Sequence, residues 1–370
     1  MSAMLETAPA ATGKIAPGKP PARRGIVLRL HRWLSLGAAL FWLIQAITGL
    51  LIVFHWELDD LAVSGVHRPT DLAAIERTMD RLAPPDSDRR IKSVWVTAGL
   101  ADRYDITVAE THTDRERAIR VSGDGTVLRS QDKGVRSTPG TLVLIHHNLL
   151  SGQLGSWIVG ISGVLLISNL MLGIVAAWPK RRTWGRTLMP SRRGPLTARF
   201  YGWHRALGLW MVLPALATAS AGTMLVFQDG IGAMIGAESA SIPASPAEHP
   251  AFIPFSAAVR AAQAQIPDSR LTAVTMPTAE NALYRIRLLA PGEIRRAYGT
   301  SVVYVDAVTG MPRGNFPASE TPWPRAFIDG LFAFHTGEMG GSVGRLLTMA
   351  LGLWLASMIV IGTLLWWRRR

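Results

Sequence analysis

Hydrophobic and polar positions divide the chain into four long apolar runs, separated by segments in which apolar and polar residues alternate. The runs cover residues 34–54, 157–178, 206–227 and 346–367 and contain no Asp, Glu, Lys or Arg. Each holds about 20 residues, and at roughly 1.5 Å of rise per residue an apolar helix of that length spans the ~30 Å hydrocarbon core of a bilayer. The pattern predicts four membrane-spanning helices. Between the first and second runs, helical spacing over 71–82 is followed by alternation over 91–97, 103–109 and 118–130, the last with a turn at Asp124-Gly125. Between the third and fourth, a helical 255–266 precedes alternating 270–276, 282–289 and 301–314. Alternation with a period of two predicts half-buried strands, so each segment reads as an α+β module of one helix on a short antiparallel sheet.

The chain also matches itself. At an offset of 173, His31-Arg32 meets His204-Arg205, Gly49 meets Gly222 and Phe54 meets Phe227; at an offset of 189, His146 meets His335, Gly163 meets Gly352, Gly173 meets Gly362 and Trp178 meets Trp367. The unit is helix, module, helix, used twice. An even number of crossings per unit makes the copies parallel, related by a pseudo-two-fold axis along the membrane normal, so that equivalent residues lie at equal depth. The expected fold is a membrane α-helical protein, a four-helix transmembrane bundle from two tandem repeats, each with an α+β module. Its expected divisions are a disordered tail (1–24), a first span (25–56), a first module (57–140), an outer segment with the second span (141–180), a loop (181–199), a third span (200–230), a second module (231–325) and an outer segment with the fourth span (326–370).

Net charge changes the picture less than its size suggests. The chain carries +13, which by itself would point to nucleic acid. Residues 1–33, 179–205 and 368–370 hold 17 of the 39 Lys and Arg against one acid, Glu6, and the remainder is slightly acidic. All of the surplus therefore lies on segments that an even number of crossings leaves on one side, as the positive-inside rule requires of cytoplasmic loops. No nucleic-acid partner is expected. The first apolar run is too long for a cleaved signal and reads as an uncleaved anchor. The absence of cysteine excludes disulfides, thiolate iron–sulfur ligation and CxxCH haem attachment.

Four of the nine histidines occupy equivalent places, His31 with His204 and His146 with His335. A single histidine at a helix end reads as a headgroup-level residue with its polar edge in water. Two at matched depth, facing across a two-fold axis, are what a bis-histidine iron porphyrin needs, one neutral nitrogen on each side of the ring. Two such pairs predict two haems, built from side chains on facing helices. His31 and His146 lie on opposite sides of the bilayer, about 30 Å apart, so each haem must bridge the two copies. His147, beside His146, remains an alternative ligand. His55 aligns with Gln228, leaving it either an asymmetric ligand or a hydrogen-bond donor to a propionate. Arg29, Arg32 and Arg205 read as positive-inside anchors, with propionate pairing as a second role. His67, His112 and His249 fall in polar loops and read as solvated. Trp33, Trp42, Trp157, Trp178, Trp203, Trp210, Trp354, Trp366 and Trp367 read mostly as a belt at the membrane boundaries. Glycines following His146 and His335 predict a bend that returns the chain toward the bundle.

The stretches "LHRWLSLGAALFWLIQAITGLLIVF", "IHHNLLSGQLGSW", "WHRALGLW" and "GTLLWWRRR" resemble the PepSY-associated transmembrane family, whose members include inner-membrane reductases for ferric siderophores. The resemblance covers nearly all of the chain beyond the N-terminal tail. It implies four crossings, PepSY-like periplasmic modules, haem b as cofactor, and a bacterial inner-membrane protein with both termini cytoplasmic. The second copy reads His204-Arg205-Ala206 where the family pattern has His-Arg-Trp, which keeps the histidine and loses the aromatic. The expected activity is that of an oxidoreductase. Electrons from a cytoplasmic or quinol donor cross the lipid bilayer to a ferric siderophore or other iron chelate, with Arg295, Arg296 or Tyr298 as candidates for positioning it. Residues 340–344, "GGSVG", lack a preceding strand and are rejected as a dinucleotide site. The alternative is a haem-free PepSY-type membrane anchor or regulator of a periplasmic protease or partner protein. A transporter is disfavoured by spans without charged residues or broken-helix signals.

Overall fold

The computed structural model describes residues 22–63, 65–97, 100–113, 115–132, 137–190, 192–246, 251–295 and 297–368. The expected tail, for its residues 1–21, and His249 and Arg296 lie outside them. Among the described residues, four helices have the length and composition to cross a bilayer, Gly25–Ile52, Gly152–Ala177, Leu196–Val226 and Glu338–Trp367.

The first half of the chain runs α1 (Ala22–Ile52), α2 (His55–Leu61), α3 (Leu72–Leu82), β1 (Arg89–Val96), β2 (Arg103–Glu110), β3 (Glu116–Ser122), β4 (Val127–Asp132), α4 (Thr138–Asn148) and α5 (Gly152–Ala177). After the short α6 (Trp184–Leu188), the second half runs α7 (Leu196–Val226), α8 (Gln228–Ile235), α9 (Phe255–Gln265), β5 (Arg270–Thr275), β6 (Leu283–Leu289), β7 (Ser301–Asp306), β8 (Pro312–Phe316), α10 (Trp323–His335) and α11 (Gly341–Trp367). The first long helix of each half breaks at the same place. Phe54 and Phe227, 173 residues apart, both leave helical geometry and cap the short helices α2 and α8.

The strands expected from alternation are present, but they do not form two sheets. All eight belong to one antiparallel sheet in the order β4-β3-β2-β1-β5-β6-β7-β8. β1 and β5 join the halves through Ser93 opposite Thr275, Val94 opposite Val274 and Trp95 opposite Ala273. Left apart, each would be an open edge with unpaired N–H and C=O groups, and pairing them removes both liabilities. One face of the sheet carries Val94, Ile106, Val121, Val274, Ile286 and Val303, all buried together with Ile75 of α3 and Val259 of α9. α3 starts where Asp71 accepts hydrogen bonds from the Ala73 and Ala74 N–H groups, and it turns Ala74, Ile75, Thr78 and Met79 inward. Because side chains alternate along a strand, the intervening positions Trp95, Asp105, Arg120 and Arg287 occupy the opposite face, toward the helical bundle.

α2 couples sheet to bundle. Its Asp59 accepts from Arg120 at 2.6 Å and from Arg129 at 3.0 Å, and Arg120 also grips Asp105 through two bonds of 2.9 Å. Asp60 pairs with the fully buried Arg103 and with the exposed His67. On the other side of α2, Arg345 of α11 forks onto Glu57, lies over the Phe54 ring at 4.2 Å and donates to the Val53 carbonyl.

Burial alone would raise the Asp59 carboxyl, but the hydrogen bonds from Arg129 and Arg120 overcome it and hold the group below the ordinary aspartate range. A depressed pKa contributes stability that is present above the unfolded value, about 3.9, and is lost as pH falls through the folded value. Asp59→Asn is expected to cost about 1.5–3 kcal/mol at pH 7, the worth of hydrogen bonds to charged groups. Thermal melts of detergent-purified protein should show that deficit at neutral pH and a narrowing gap from wild type below about pH 4.

Candidate functional site

In the bundle, α1 packs against α5 and α11, and α7 packs against the same two helices, so α1 and α7 stand diagonally across a common axis. Diagonal helices in such a ring leave space between them. Here that space consists of two cavities, one of about 290 Å³ at the end away from the sheet and one of about 850 Å³ at the sheet end. The far cavity is lined by His31 and His204, with Arg32 and Arg205 beside them. His146, His335, His147 and His55 line the sheet-side cavity.

His146 and His335 reach the axis from short helices of their own. α4 ends two residues after His146, and Leu149, Leu150 and Gly152, the first residue of α5, all take positive φ. α10 ends at His335, followed by Gly337 and Gly341 with φ of 76° and 61°. A Cβ at Gly155 would meet the Asn148 carbonyl, and one at Gly344 would meet the Gly337 carbonyl, so each return needs a glycine on the following helix. The result brings the His146 and His335 rings together, with their centres 6.2 Å apart and their planes inclined by 30°. His147 lies 6.0 Å from the His146 ring at a steeper 58°.

Each of the four rings rests on a glycine. Cε1 of His146 lies 2.8 Å from where a Gly49 Cβ would stand, and Cε1 of His335 occupies the place of a Gly222 Cβ still more closely. His31 over Gly173 and His204 over Gly362 are both at 3.3 Å. The same edge of the ring is fixed by hydrogen bonds. Nδ1 of His31 donates to the Asn169 carbonyl (3.1 Å), that of His146 to the Gln45 carbonyl (3.1 Å) and that of His335 to the Thr218 carbonyl (2.9 Å). Gln45 and Thr218 are themselves 173 residues apart. A carbonyl can only accept, so Nδ1 carries the proton and Nε2 keeps its lone pair. In His204, Nδ1 is buried without a partner. Burial first, then the neighbouring His335 and His147, pushes the His146 imidazole down to about 3, and burial lowers His335 as well. Both are neutral at physiological pH.

The two cavities share a wall of Trp42, Leu166, Leu170, Trp354 and Leu355. Trp42 and Trp354 therefore do not belong to a boundary belt. They are buried at mid-bundle, with indole N–H groups bonded to Ser162 Oγ (2.9 Å) and to the Leu207 carbonyl (3.1 Å). Their position about eight residues into an apolar run was the available signal. His55 donates Nδ1 to the Ile52 carbonyl at 2.6 Å and tilts against Trp56. Arg205 donates to the Ala177 carbonyl at 2.8 Å, tying α7 to the end of α5. Among the described residues, no group of three or more His, Asp or Glu is disposed to hold a bare metal ion. The chemistry available is that of a close pair of neutral imidazoles, His146 and His335, at the sheet end and a second histidine pair lining the far cavity, suited to a flat group ligated from both sides.

Residues 28–369 match the family described as the PepSY-associated TM region. No curated protein matches the chain.

Adding a methyl group at Gly49 or Gly222 forces the imidazole off its seat, whereas Gly37 on α1 has nothing within 4 Å of its missing Cβ. Gly49→Ala and Gly222→Ala are expected to destabilise by about 1–3 kcal/mol, as overpacking does. Gly37→Ala should be neutral or stabilising by up to about 1 kcal/mol. Melting temperatures of the three variants in one detergent make the comparison, and equal shifts would show that the glycines are not seats for the rings.

Proposed function

The chain belongs to the PepSY-associated TM family, and from that premise we propose that it is a di-haem b-type electron-transfer protein that reduces ferric chelates, a ferric-siderophore reductase of the bacterial inner membrane. The observation that carries the proposal is the spacing of His146 and His335. Two imidazoles ligating one atom from opposite sides at roughly 2 Å, as metal–imidazole bonds run, have ring centres about 6 Å apart. The observed 6.2 Å matches that requirement.

The surroundings of the rings support the same reading. Backbone carbonyls from Gln45, Thr218 and Asn169 hold Nδ1–H, the outer hydrogen bond that fixes tautomer and raises ligand basicity in histidine metal sites. The orphaned Nδ1 of His204 leaves its seat on Gly362 as the main restraint on that ring. His31 and His204 would hold one haem, and His146 and His335 the other. When bound, the two haems would supply one-electron carriers at the two ends of the bundle, between a cytoplasmic or quinol donor and Fe(III) in the chelate. One electron lost by the donor converts Fe(III) to Fe(II), which the hard oxygen donors of a siderophore hold less tightly. Trp42 and Trp354 separate the sites and exclude water between them.

The remaining assignments follow from the same reading. The Lys/Arg surplus flanks the ends of the spans remote from the sheet, which supports cytoplasmic termini and a periplasmic sheet. The matched breaks at Phe54 and Phe227, the matched carbonyls of Gln45 and Thr218 and the four glycine seats support descent from a duplicated unit. Each haem would then bridge the two copies.

Dithionite-reduced minus oxidised spectra with a haem count per chain provide the test. Two haems are expected in wild type and one each in His31→Ala and His335→Ala. A folded but colourless preparation, or haem content unchanged by both substitutions, would refute the assignment in favour of a haem-free membrane anchor or regulator.

A further inference from the structure

At the roof of the sheet-side cavity, Arg295 in the β6–β7 connection is part of the lining, and Arg287, on the bundle-facing side of β6, stands within electrostatic reach of Arg295, Arg325 and Asp329, which line the cavity. Among the described residues, neither Arg287 nor Arg295 is ion-paired with a carboxylate, and Glu338, which also lines the cavity, accepts from the Ala297 N–H. Nε of each arginine is buried without a hydrogen-bond partner. The acid nearest Arg287 in influence, Asp329, is already clamped by both forks of Arg325, at 2.6 and 3.1 Å. Around that one engaged carboxylate stand Arg285, Arg287, Arg295 and Arg325. Their like charges add to burial, which is the larger cause, in drawing the Arg287 guanidinium down to about 10.

Aromatic faces hold the two guanidinium groups in place without neutralising them. Arg287 lies over Trp95 at 5.7 Å, and Trp95 meets Tyr298 edge-on at 5.5 Å. Arg295 lies 5.9 Å from the Tyr298 ring and 5.0 Å from that of Phe332, three residues before His335 on α10. The roof is thus one helical turn from the histidine pair. Both arginines are half-buried, and stacking on a ring, worth about 0.5–2 kcal/mol, leaves the buried Nε of each without an acceptor. Two such groups within electrostatic reach of one another make sense where an anion from outside the chain completes the site.

We propose that Arg287 and Arg295 form a carboxylate-binding site at the roof of the sheet-side cavity. A guanidinium presents two parallel N–H donors that match a carboxylate, and two such groups suit a polycarboxylate or a pair of carboxylates. That chemistry has two sources, the propionates of a porphyrin between His146 and His335 or the carboxylates of an iron chelate arriving from outside. The identity of the carrier rests on the di-haem reading, but the carboxylate site itself does not.

The test uses full-length protein in detergent, with Arg287→Gln, Arg295→Gln, Arg295→Lys and the exposed Arg313→Gln as a control. Gallium(III) citrate, a redox-inert polycarboxylate chelate, is titrated by calorimetry, and haem content and midpoint potentials are measured in parallel. Binding of gallium(III) citrate that weakens about tenfold or more in both Gln variants, ~1.4 kcal/mol, with haem unchanged, supports the site and identifies an external chelate. Loss of one haem, or a shift in one midpoint potential only, supports the site and identifies a propionate. Arg295→Lys, which keeps the charge and loses the fork, should give an intermediate effect, and it separates binding from misfolding. Citrate binding, haem content and both potentials all unchanged in the Gln variants would overturn the proposal while leaving the di-haem function intact. A haem-free protein whose citrate binding still depends on Arg295 would do the reverse.

Discussion

A buried imidazole on one helix is oriented here by the backbone of a neighbouring helix, and the architecture follows from that constraint. Nδ1 donates to a helix carbonyl in His31, His146 and His335. The adjacent Cε1 rests on a glycine one turn further along the same helix, because any side chain at positions 49 and 222 would occupy the volume of the ring. Placing the carbonyl and the glycine on one helix and the histidine on another means that ring orientation is set by helix packing and not by the histidine's own rotamer alone. A small slip between α1 and α4, or between α7 and α10, would break the bond and the seat together.

Such a slip has to be resisted where the hydrophobic effect gives little help. Between helices in lipid there is no water to expel, and association depends on close packing and polar contacts. The eight-stranded sheet meets the need from outside the bilayer. Its core buries Ile75, Val94, Ile106, Val259, Val274, Ile286 and Val303 from both halves of the chain, and the β1–β5 ladder fixes their register. Two polar contacts carry that register across the halves. Glu76 of α3 accepts from Ser256 of α9 at 2.7 Å, and Arg345 of α11 grips Glu57 of α2. His146 and His335 belong to opposite halves, so their 6.2 Å separation depends on these joins as much as on the membrane helices.

The elements visible in the sequence were those with a period. Apolar length marked the spans, alternation marked the strands of both segments, and the offsets of 173 and 189 aligned His31 with His204, His146 with His335 and each with its glycine. The merging of two sheets into one left no such trace, because β1 and β5 look like any half-buried strand until their edges meet. Trp42 and Trp354 were misread as boundary residues since tryptophan is common at interfaces, although their depth in the runs placed them at the middle. The carbonyl partners were invisible for a different reason, since a backbone acceptor can be supplied by any residue, whether Gln45, Thr218 or Asn169. Arg295 was among the residues the sequence offered for positioning a chelate, but Arg287 was hidden among 39 basic residues, and a buried Nε without an acceptor is what marks both in the structure.

The two cavities share a motif but not a size. The sheet-side cavity has about three times the volume of the far one, although each is lined by a pair of repeat-equivalent histidines. If a flat group of one kind fills both, the excess volume at the sheet end is room for something else. That excess lies next to Arg295, Tyr298 and Phe332, where the walls change from the helices of the bundle to the face of the sheet, while the far cavity is lined mainly by apolar residues with Arg32 and Arg205 beside its histidines. Room beside such a group is therefore found at the sheet end of the bundle, and the tryptophan wall stands between that space and the far cavity.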